Sequence, residues 1–312
     1  MLRLALGRLV LTLPTMLAAA TLVFLMLHLV PDDPVDVMLG ESTQAADRAA
    51  LRRTLGLDRP LATQYGAFLL GLVRGDLGRS LVQGTAVAEL VAARFPATAE
   101  LTIAALAVAL ALAFPLGLAA AARPGTWLDR GSIGLALLGV SVPSFWLGPM
   151  LILLLSIHWR WLPVSGRGTW AHLVLPACTL GFGMAAILTR MTRASVLECL
   201  GEDYVRTARA KGVGRLAILT RHALRNALGP VVTILGLQFG ALLAGTVITE
   251  TIFAWPGIGR LLIDAINQRD YPVVQGCVLV IAACFVIANA LADVVNAWLD
   301  PRSGAAAARS NG

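Results

Sequence analysis

Six long apolar stretches dominate this sequence, and each is long enough to cross a membrane as a helix. A transmembrane helix needs about 20 predominantly apolar residues. The composition agrees, since only 14% of the residues are charged, whereas a soluble domain carries about 25%. We therefore predict an all-α integral membrane protein whose six transmembrane helices lie at 9–30, 97–122, 132–157, 173–190, 230–253 and 273–299. Pro143, inside the third stretch, predicts a kink rather than a break.

The first stretch resembles a secretory signal, because Arg3 and Arg8 precede it. Its small residues at 18–20 lie in the middle of the apolar run, however. The apolar region of a signal peptide is shorter and ends at the small-residue cleavage site. We therefore predict an uncleaved first helix.

The distribution of arginine predicts the orientation. Basic residues concentrate in the short cytoplasmic loops of membrane proteins. With a cytoplasmic N-terminus, the inside segments hold fourteen basic residues and the two short outside loops hold four. Both termini are therefore predicted to be cytoplasmic. Residues 31–96 then form an extracytoplasmic segment, in which amphipathic and short apolar runs (45–55 and 64–73) predict interfacial helices.

The largest predicted cytoplasmic loop, 192–229, has two halves separated by Gly212 and Gly214, which break the helix. After the break, apolar residues recur at helical spacing and predict one apolar stripe: Leu216, Leu219, Ala223 and Ala227. Arg221 and Arg225 lie on the opposite face, where like charges four residues apart destabilise an isolated helix. This face suits either anionic lipid headgroups or an acidic protein partner, and the pattern leaves both open.

Polar residues follow one side of the fifth stretch and its end: Gln238, Thr246 and Glu250. Ordinary hydrogen bonding between helices would account for them. The functional alternative is a polar lining for a translocation path.

The sequence lacks the motifs that would identify it as an ATPase, a zinc protease or a serine hydrolase. It has no phosphate-binding loop, because its only lysine, Lys211, is followed by Gly212 and Val213. It also has no zinc-protease or serine-hydrolase motif, and its four histidines lie in loops or at span ends. We therefore predict no catalytic residue and no metal site. A stand-alone secondary transporter remains as an alternative, although paired polar breaks in two related halves are not evident.

Three separated blocks carry a family resemblance. The first is 204–212 (Tyr-Val-Arg-Thr-Ala-Arg-Ala-Lys-Gly) with 221–227 (Arg-His-Ala-Leu-Arg-Asn-Ala). The second is 250–259 (Glu-Thr-Ile-Phe-Ala-Trp-Pro-Gly-Ile-Gly) with 269–276 (Arg-Asp-Tyr-Pro-Val-Val-Gln-Gly), and the third is 299–302 (Leu-Asp-Pro-Arg). In this order they resemble the B-type permease of the dipeptide/oligopeptide branch of ATP-binding cassette (ABC) importers.

The resemblance implies a type I importer permease with a five-helix core at 94–299, preceded by the tail and first helix at 1–30 and followed by a cytoplasmic tail at 300–312. It implies an ATPase-coupling loop that contains Tyr204, Arg206, Ala208, Lys211, Gly212, Arg221, His222, Arg225 and Asn226. It also implies an extracytoplasmic motif made of Phe253, Pro256, Gly257, Gly259, Arg269, Asp270 and Tyr271.

One position departs from the general motif of this loop. The motif begins Glu-Ala-Ala six residues before its glycine, and here those positions hold Arg206, Thr207 and Ala208. No contact of a glutamate can therefore be assumed at the first of them. Gly212 carries over directly, because a turn between two short helices favours a residue without a side chain.

The resemblance also implies the partners. They are a homologous second permease, two cytoplasmic ATPase subunits, an extracytoplasmic solute-binding protein and the lipid bilayer, without nucleic acid. No cofactor is expected on this chain, and ATP and magnesium are expected on the ATPases. The implied cargo is short peptides, and nickel complexes, glutathione or another small solute are the alternatives.

Overall fold

The computed structural model describes residues 2–29 and 58–299. Within these residues the chain is helical, apart from loops and an isolated bridge between Arg79 and Ala86. The α-helices are α1 Leu2–Leu29, α2 Leu61–Val73, α3 Val87–Ala122, α4 Trp127–Ser141, α5 Ser144–Leu151, α6 Trp170–Gly201, α7 Asp203–Ala210, α8 Arg215–Ala217, α9 Leu224–Ile252, α10 Ile258–Asn267 and α11 Tyr271–Leu299. Two π-helical segments, Ile152–His158 and Ile218–Ala223, continue α5 and α8. The helix predicted at 45–55 and the tail at 300–312 lie outside the described residues.

Three described helices are long and apolar enough to span a membrane: Val87–Ala122, Trp170–Gly201 and Tyr271–Asn296. Two bent pairs bring the number to five if each pair is one span. They are Trp127–Ser141 with Ser144–His158, and Arg215–Gly240 with Gly245–Ile252. In α1, the part whose side chains are described, Leu13–Met26, is an apolar helix too short to count as a span by itself. The six-span count therefore remains a prediction.

The third predicted span is broken. Helix α4 ends at Ser141, α5 begins at Ser144, and the two differ in direction by 101°. Pro143 stands between them with φ −65° and ψ 141°. Proline lacks the N–H of an interior helical turn and disfavours the helical conformation of the residue before it, which is Val142. The expected kink was therefore wrong, and a broken span or a re-entrant segment takes its place.

The described chain divides into two compact units, of which the first comprises 2–9, 99–255 and 287–299. In this unit small residues bring helix backbones close together. A Cβ atom at Gly181 would lie 2.7 Å from the carbonyl oxygen of Ala105, so α6 and α3 touch backbone to backbone. A Cβ atom at Gly139 would likewise lie 2.8 Å from the Cβ of Ala186, where α4 crosses α6. Such contacts are typical of membrane helices, whose association depends on close packing.

The second unit comprises the described residues 10–29, 58–98 and 256–286. Its main core joins the start of α3, α10 and the start of α11 through buried residues that include Val87, Ile258 and Cys277. Helix α2 packs on α1, where the hydroxyls of Tyr65 and Thr21 are 2.6 Å apart. Helix α2 therefore forms inside the segment that was predicted to hold short helices, and its placement at the membrane surface stays a prediction.

Candidate coupling loop and translocation site

The loop predicted to couple the chain to a partner has a sharp turn at Gly212. Helix α7 ends at Ala210, and Gly212 has φ +78°, a left-handed conformation that glycine adopts without a steric penalty. The amide of Gly212 donates to the carbonyl of Arg209 at 3.0 Å, and the amide of Val213 donates to that of Ala208 at 3.1 Å. These bonds close the end of α7 in the way helix C-termini commonly end. The predicted helix break is thus confirmed.

A small apolar core holds α7 against the segment that follows the turn. Val205, Ala208 and Ile218 are buried together, with Leu200 and Val213 packed around them. Ala208 was identified from the family motif, whereas Val205 and Ile218 were missed. An apolar spacing of three residues at 205 and 208 was the available signal, since it places both side chains on one face of a helix. The loop is therefore a packed element rather than an extended connection.

A second apolar core fixes the loop to the membrane helices. Leu219, Ala223 and Ala227 are buried against Ala121 of α3 and Val196 of α6. These three confirm most of the predicted stripe. The fourth member, Leu216, is 75% exposed and does not pack in this core. The cause is the π-helical segment Ile218–Ala223, whose wider turn shifts the register and places Ile218 inward instead.

The outer face of the loop is basic, because Arg206, Lys211, Arg221 and Arg225 are all exposed. Arg206, which stands where the general motif has glutamate, lies 3.2 Å from the carboxylate of Asp203. A surface pair of this kind contributes little stability. The loop therefore presents cationic side chains outward while its apolar face is covered.

Two motif residues from opposite sides of the turn influence each other. Partial burial raises the pKa of the Tyr204 hydroxyl, and the Asn226 side chain acts in the opposite direction. His222 is half-buried between the arginines. The fold thus brings together the two segments of the loop that carry the family resemblance, 204–212 and 221–227.

An ion pair that sequence reasoning missed lies next to the loop. Arg193 of α6 donates from Nη2 to Asp129 of α4 at 2.8 Å, and the amide of Gly125 donates to the same oxygen at 2.8 Å. Asp129 is buried, so its carboxylate requires these donors. The residues are 64 positions apart, and no local pattern marks such a pair. This ion pair joins α6, which leads into the loop, to α4, which begins the broken span.

The three residues proposed for a translocation path have different surroundings. Gln238 lines a cavity of about 300 Å³ where α9 faces α6 and the break around Pro143. Thr246 is buried and donates its hydroxyl to the carbonyl of Leu243 at 2.6 Å. Glu250 is fully buried, with 0% exposure. The structure therefore places one of the three on a cavity and the other two inside the packed chain.

The first part of the predicted extracytoplasmic motif caps α9. Phe253 and Trp255 are buried, and Ala254 between them has φ +49°. The amide of Trp255 donates to the carbonyl of Glu250, and the carbonyl of Phe253 accepts from the amide of Gly166, both at 2.8 Å. Phe253 and Trp255 are therefore core residues that hold the end of α9 in place.

The rest of the motif lies in the second unit, where Asp270 is its central group. This buried carboxylate accepts from the hydroxyl of Ser80 and, at 3.0 Å, from the amide of Leu81. Arg269, just before it, is exposed and has φ +56°, and Tyr271 begins α11. Asp270 thus binds the segment that precedes α3 to the turn that precedes α11.

The glycines and proline of this motif form the start of α10. Pro256 is half-buried, whereas Gly257 and Gly259 are buried. Gly257 is the N-cap of α10, with φ −100° and ψ −173°. The amide of Ile258 donates to the hydroxyl of Thr98 at 2.8 Å, which satisfies one of the free donors of the first turn. Across residues 2–29 and 58–299, no group of three or more potential ligands could hold a metal ion.

Comparisons with known proteins agree with this geometry. Residues 113–304 match the family of binding-protein-dependent transport system inner membrane components, and residues 1–102 match the N-terminal part of such membrane components. The chain is 45% identical to the dipeptide transport system permease protein DppB of Escherichia coli strain K12, over 97% of this chain and 98% of that protein. It is 43% identical to the glutathione transport system permease protein GsiC of Salmonella typhimurium, over 96% and 98% of the two chains.

The fold also has a counterpart among solved structures. An inward-facing structure of the MetNI methionine ABC transporter matches with a TM-score of 0.59 and 17% identity, over 68% of this chain and 96% of that chain. This likeness concerns the fold alone. Sequence identity over nearly the whole length establishes the family. The chain belongs to the binding-protein-dependent transport system inner membrane components: it is a multi-pass, non-enzymatic permease subunit of an ABC importer in the bacterial inner membrane, and the ATPase is a separate subunit.

Proposed function

We propose that this permease carries short peptides, which a solute-binding protein delivers to it from outside. The observation that carries the proposal is the 45% identity, over 97% of the chain, to a dipeptide permease. A glutathione permease is 43% identical over 96% of the chain, and glutathione is itself a short peptide. The working assembly would contain a homologous second permease and two ATPases, which bind ATP and magnesium.

The proposed topology has six spans with both termini in the cytoplasm. Helices α1, α3, α6, α9 and α11 would each supply one span, and α4 with α5 would supply the broken one. The arginine-rich segments then face the cytoplasm. Residues 94–299 would form the permease core, residues 31–96 would lie outside, and the motif from Phe253 to Tyr271 would face the solute-binding protein.

The coupling loop at 192–229 would transmit ATPase movement to the spans. Its exposed arginines and short helix α7 suit docking in a groove of an ATPase subunit. Two apolar cores support this role, because they attach the loop to α3 and α6 through Ile218, Leu219 and Ala223. The bond between Arg193 and Asp129 extends that attachment to α4. Movement of a rigid loop would then shift whole helices.

The path for the cargo would pass the cavity at Gln238. Irregular backbone is tolerated at membrane depth where it is buried in protein or lines a cavity, and the break at Pro143 lies on this one. Thr246 and Glu250 follow Gln238 along α9, and they would become accessible when the permeases rock between states. Changing all three to alanine should therefore impair transport, and normal transport by that triple variant would rule the path out.

Two assays on the reconstituted complex separate cargo from docking. In the first, ATP-dependent uptake of a labelled dipeptide is measured with its binding protein, and unlabelled glutathione is added as a competitor. If neither the dipeptide nor glutathione is taken up, the peptide proposal is overturned. In the second, Arg221→Glu with Arg225→Glu should release the ATPases while the spans stay inserted. Co-purification of the ATPases with unchanged transport would contradict the docking proposal alone.

A further inference from the structure

A cavity of about 730 Å³ lies beside the coupling loop, where it meets the ends of two long helices. Its wall is largely apolar and comes from α3, α6 and the π-helical segment after α8: Ala121, Leu197, Leu200, Ile218 and Leu219. Two cationic side chains, Arg209 and Arg215, also line it. An apolar wall beside basic groups matches the two chemical parts of an anionic phospholipid.

The cationic part is held in place by the fold. Arg215 donates from Nη2 to the carbonyl oxygen of Ala122, at the end of α3. A guanidinium carries five N–H donors in a rigid fork, and this bond uses one of them. The surrounding loop, 190–229, has eight basic residues against three acidic ones. One of the three acidic residues, Asp203, is paired with Arg206. The cavity therefore lies in a positive field.

The neighbouring side chains indicate the depth of a lipid headgroup. Pro124 lines the cavity, and Trp127, three residues later, is 78% exposed. Exposed tryptophan is enriched where the hydrocarbon meets the headgroups. Leu216, adjacent to Arg215, is 75% exposed. Apolar surface of this kind beside basic groups favours a membrane surface over an acidic protein surface.

We propose that this cavity binds one anionic phospholipid, with its phosphate between Arg209 and Arg215 and an acyl chain along the apolar wall. Guanidinium groups bind phosphate through paired, charge-assisted hydrogen bonds, and basic pockets at helix ends on the cytoplasmic side suit such headgroups. The lipid would fill the space between α3 and the coupling loop and so stiffen their attachment. The inference requires only that the chain spans the membrane, and it is independent of the cargo.

The test uses the assembled transporter in nanodiscs of phosphatidylcholine with phosphatidylglycerol, and native mass spectrometry counts the retained phosphatidylglycerol. Arg209→Gln with Arg215→Gln should weaken retention about 30-fold, which corresponds to about 2 kcal/mol for two arginines. Arg130→Gln with Arg190→Gln removes the same charge from two exposed arginines that belong neither to the cavity nor to the proposed docking face, and should retain the lipid.

A second pair of variants tests the cavity without changing charge. A Cβ at Gly201, which lines the cavity, would meet no atom within 4 Å. Gly201→Leu should therefore fill the space and expel the lipid. Gly131 is equally open but lies elsewhere, so Gly131→Leu is its control. We expect both cavity variants to lose phosphatidylglycerol and both controls to keep it.

Three outcomes would overturn the proposal. The first is equal retention in the cavity variants and their controls. The second is displacement of the lipid by inorganic phosphate alone, which would identify a simple anion site. The third is loss of the ATPase subunits from the Arg209/Arg215 variant with phosphatidylglycerol still bound, which would assign the cavity to a protein partner.

Discussion

Replacing Ile218 with alanine should loosen helix α7 from the segment that follows the Gly212 turn. Ile218 is 3% exposed and belongs to a core with only two other buried residues, Val205 and Ala208. A buried isoleucine-to-alanine change costs about 2–5 kcal/mol, and the low end applies because so small a cluster can partly collapse. About 2 kcal/mol raises the population of the locally open state about 30-fold.

Amide hydrogen exchange measures this opening directly. The amides of Lys211 and Val213 donate to carbonyls of α7 at 3.1 Å, so their exchange should accelerate about 30-fold in Ile218→Ala. Leu216→Ala is the matched control, because Leu216 is two residues away and 75% exposed. A substitution at such a position changes stability by about 0.5 kcal/mol or less. Equal acceleration in both variants, or a larger one in Leu216→Ala, would refute the described register of the loop.

Three further predictions concern contacts outside this core. Asp270→Ala leaves the Ser80 hydroxyl and the Leu81 amide without their acceptor, and should destabilise the second unit by about 3 kcal/mol; an unchanged melting temperature would exclude this role. Gly181→Leu should prevent assembly of the permease in membranes, because its Cβ would lie 2.7 Å from a backbone oxygen. Gly183→Leu should be tolerated, because its Cβ would lie 3.6 Å from the carbonyl oxygen of Gly139. Similar expression of the two glycine variants would contradict the close packing. Arg193→Gln should lower thermal stability and uncouple ATP hydrolysis from uptake, since it leaves the buried carboxylate on α4 with one donor fewer; coupled transport at the normal melting temperature would rule this out.

The sequence predicts most of the helices because a membrane requires long apolar runs, and such runs are local features. It also predicts the turn at Gly212, because glycine adopts a positive φ without a steric penalty. The break at Pro143 was harder to foresee, because proline inside a membrane helix is compatible with either a kink or an interruption. Only the packing of the neighbouring helices decides between the two.

Side-chain partners far apart in the chain could not be foreseen. Ser80 meets Asp270 across 190 positions, and Arg193 meets Asp129 across 64. No periodic pattern links residues at such separations. Leu216 shows a different limit, because a π-helical segment changes the helical period within one turn, and the stripe was read with a constant period. The stripe therefore packs within and after that segment, at Leu219, Ala223 and Ala227, and not before it.

We propose above all that the turn at Gly212 transmits ATPase movement to the spans. Two proline substitutions test this role most directly. Proline fixes φ near −65°, which is incompatible with the φ of +78° at Gly212 but matches the φ of −63° at Gly214. In the reconstituted complex, ATP-dependent peptide uptake should be lost in Gly212→Pro and retained in Gly214→Pro, with both chains inserted normally. Equal uptake by the two variants would contradict the account.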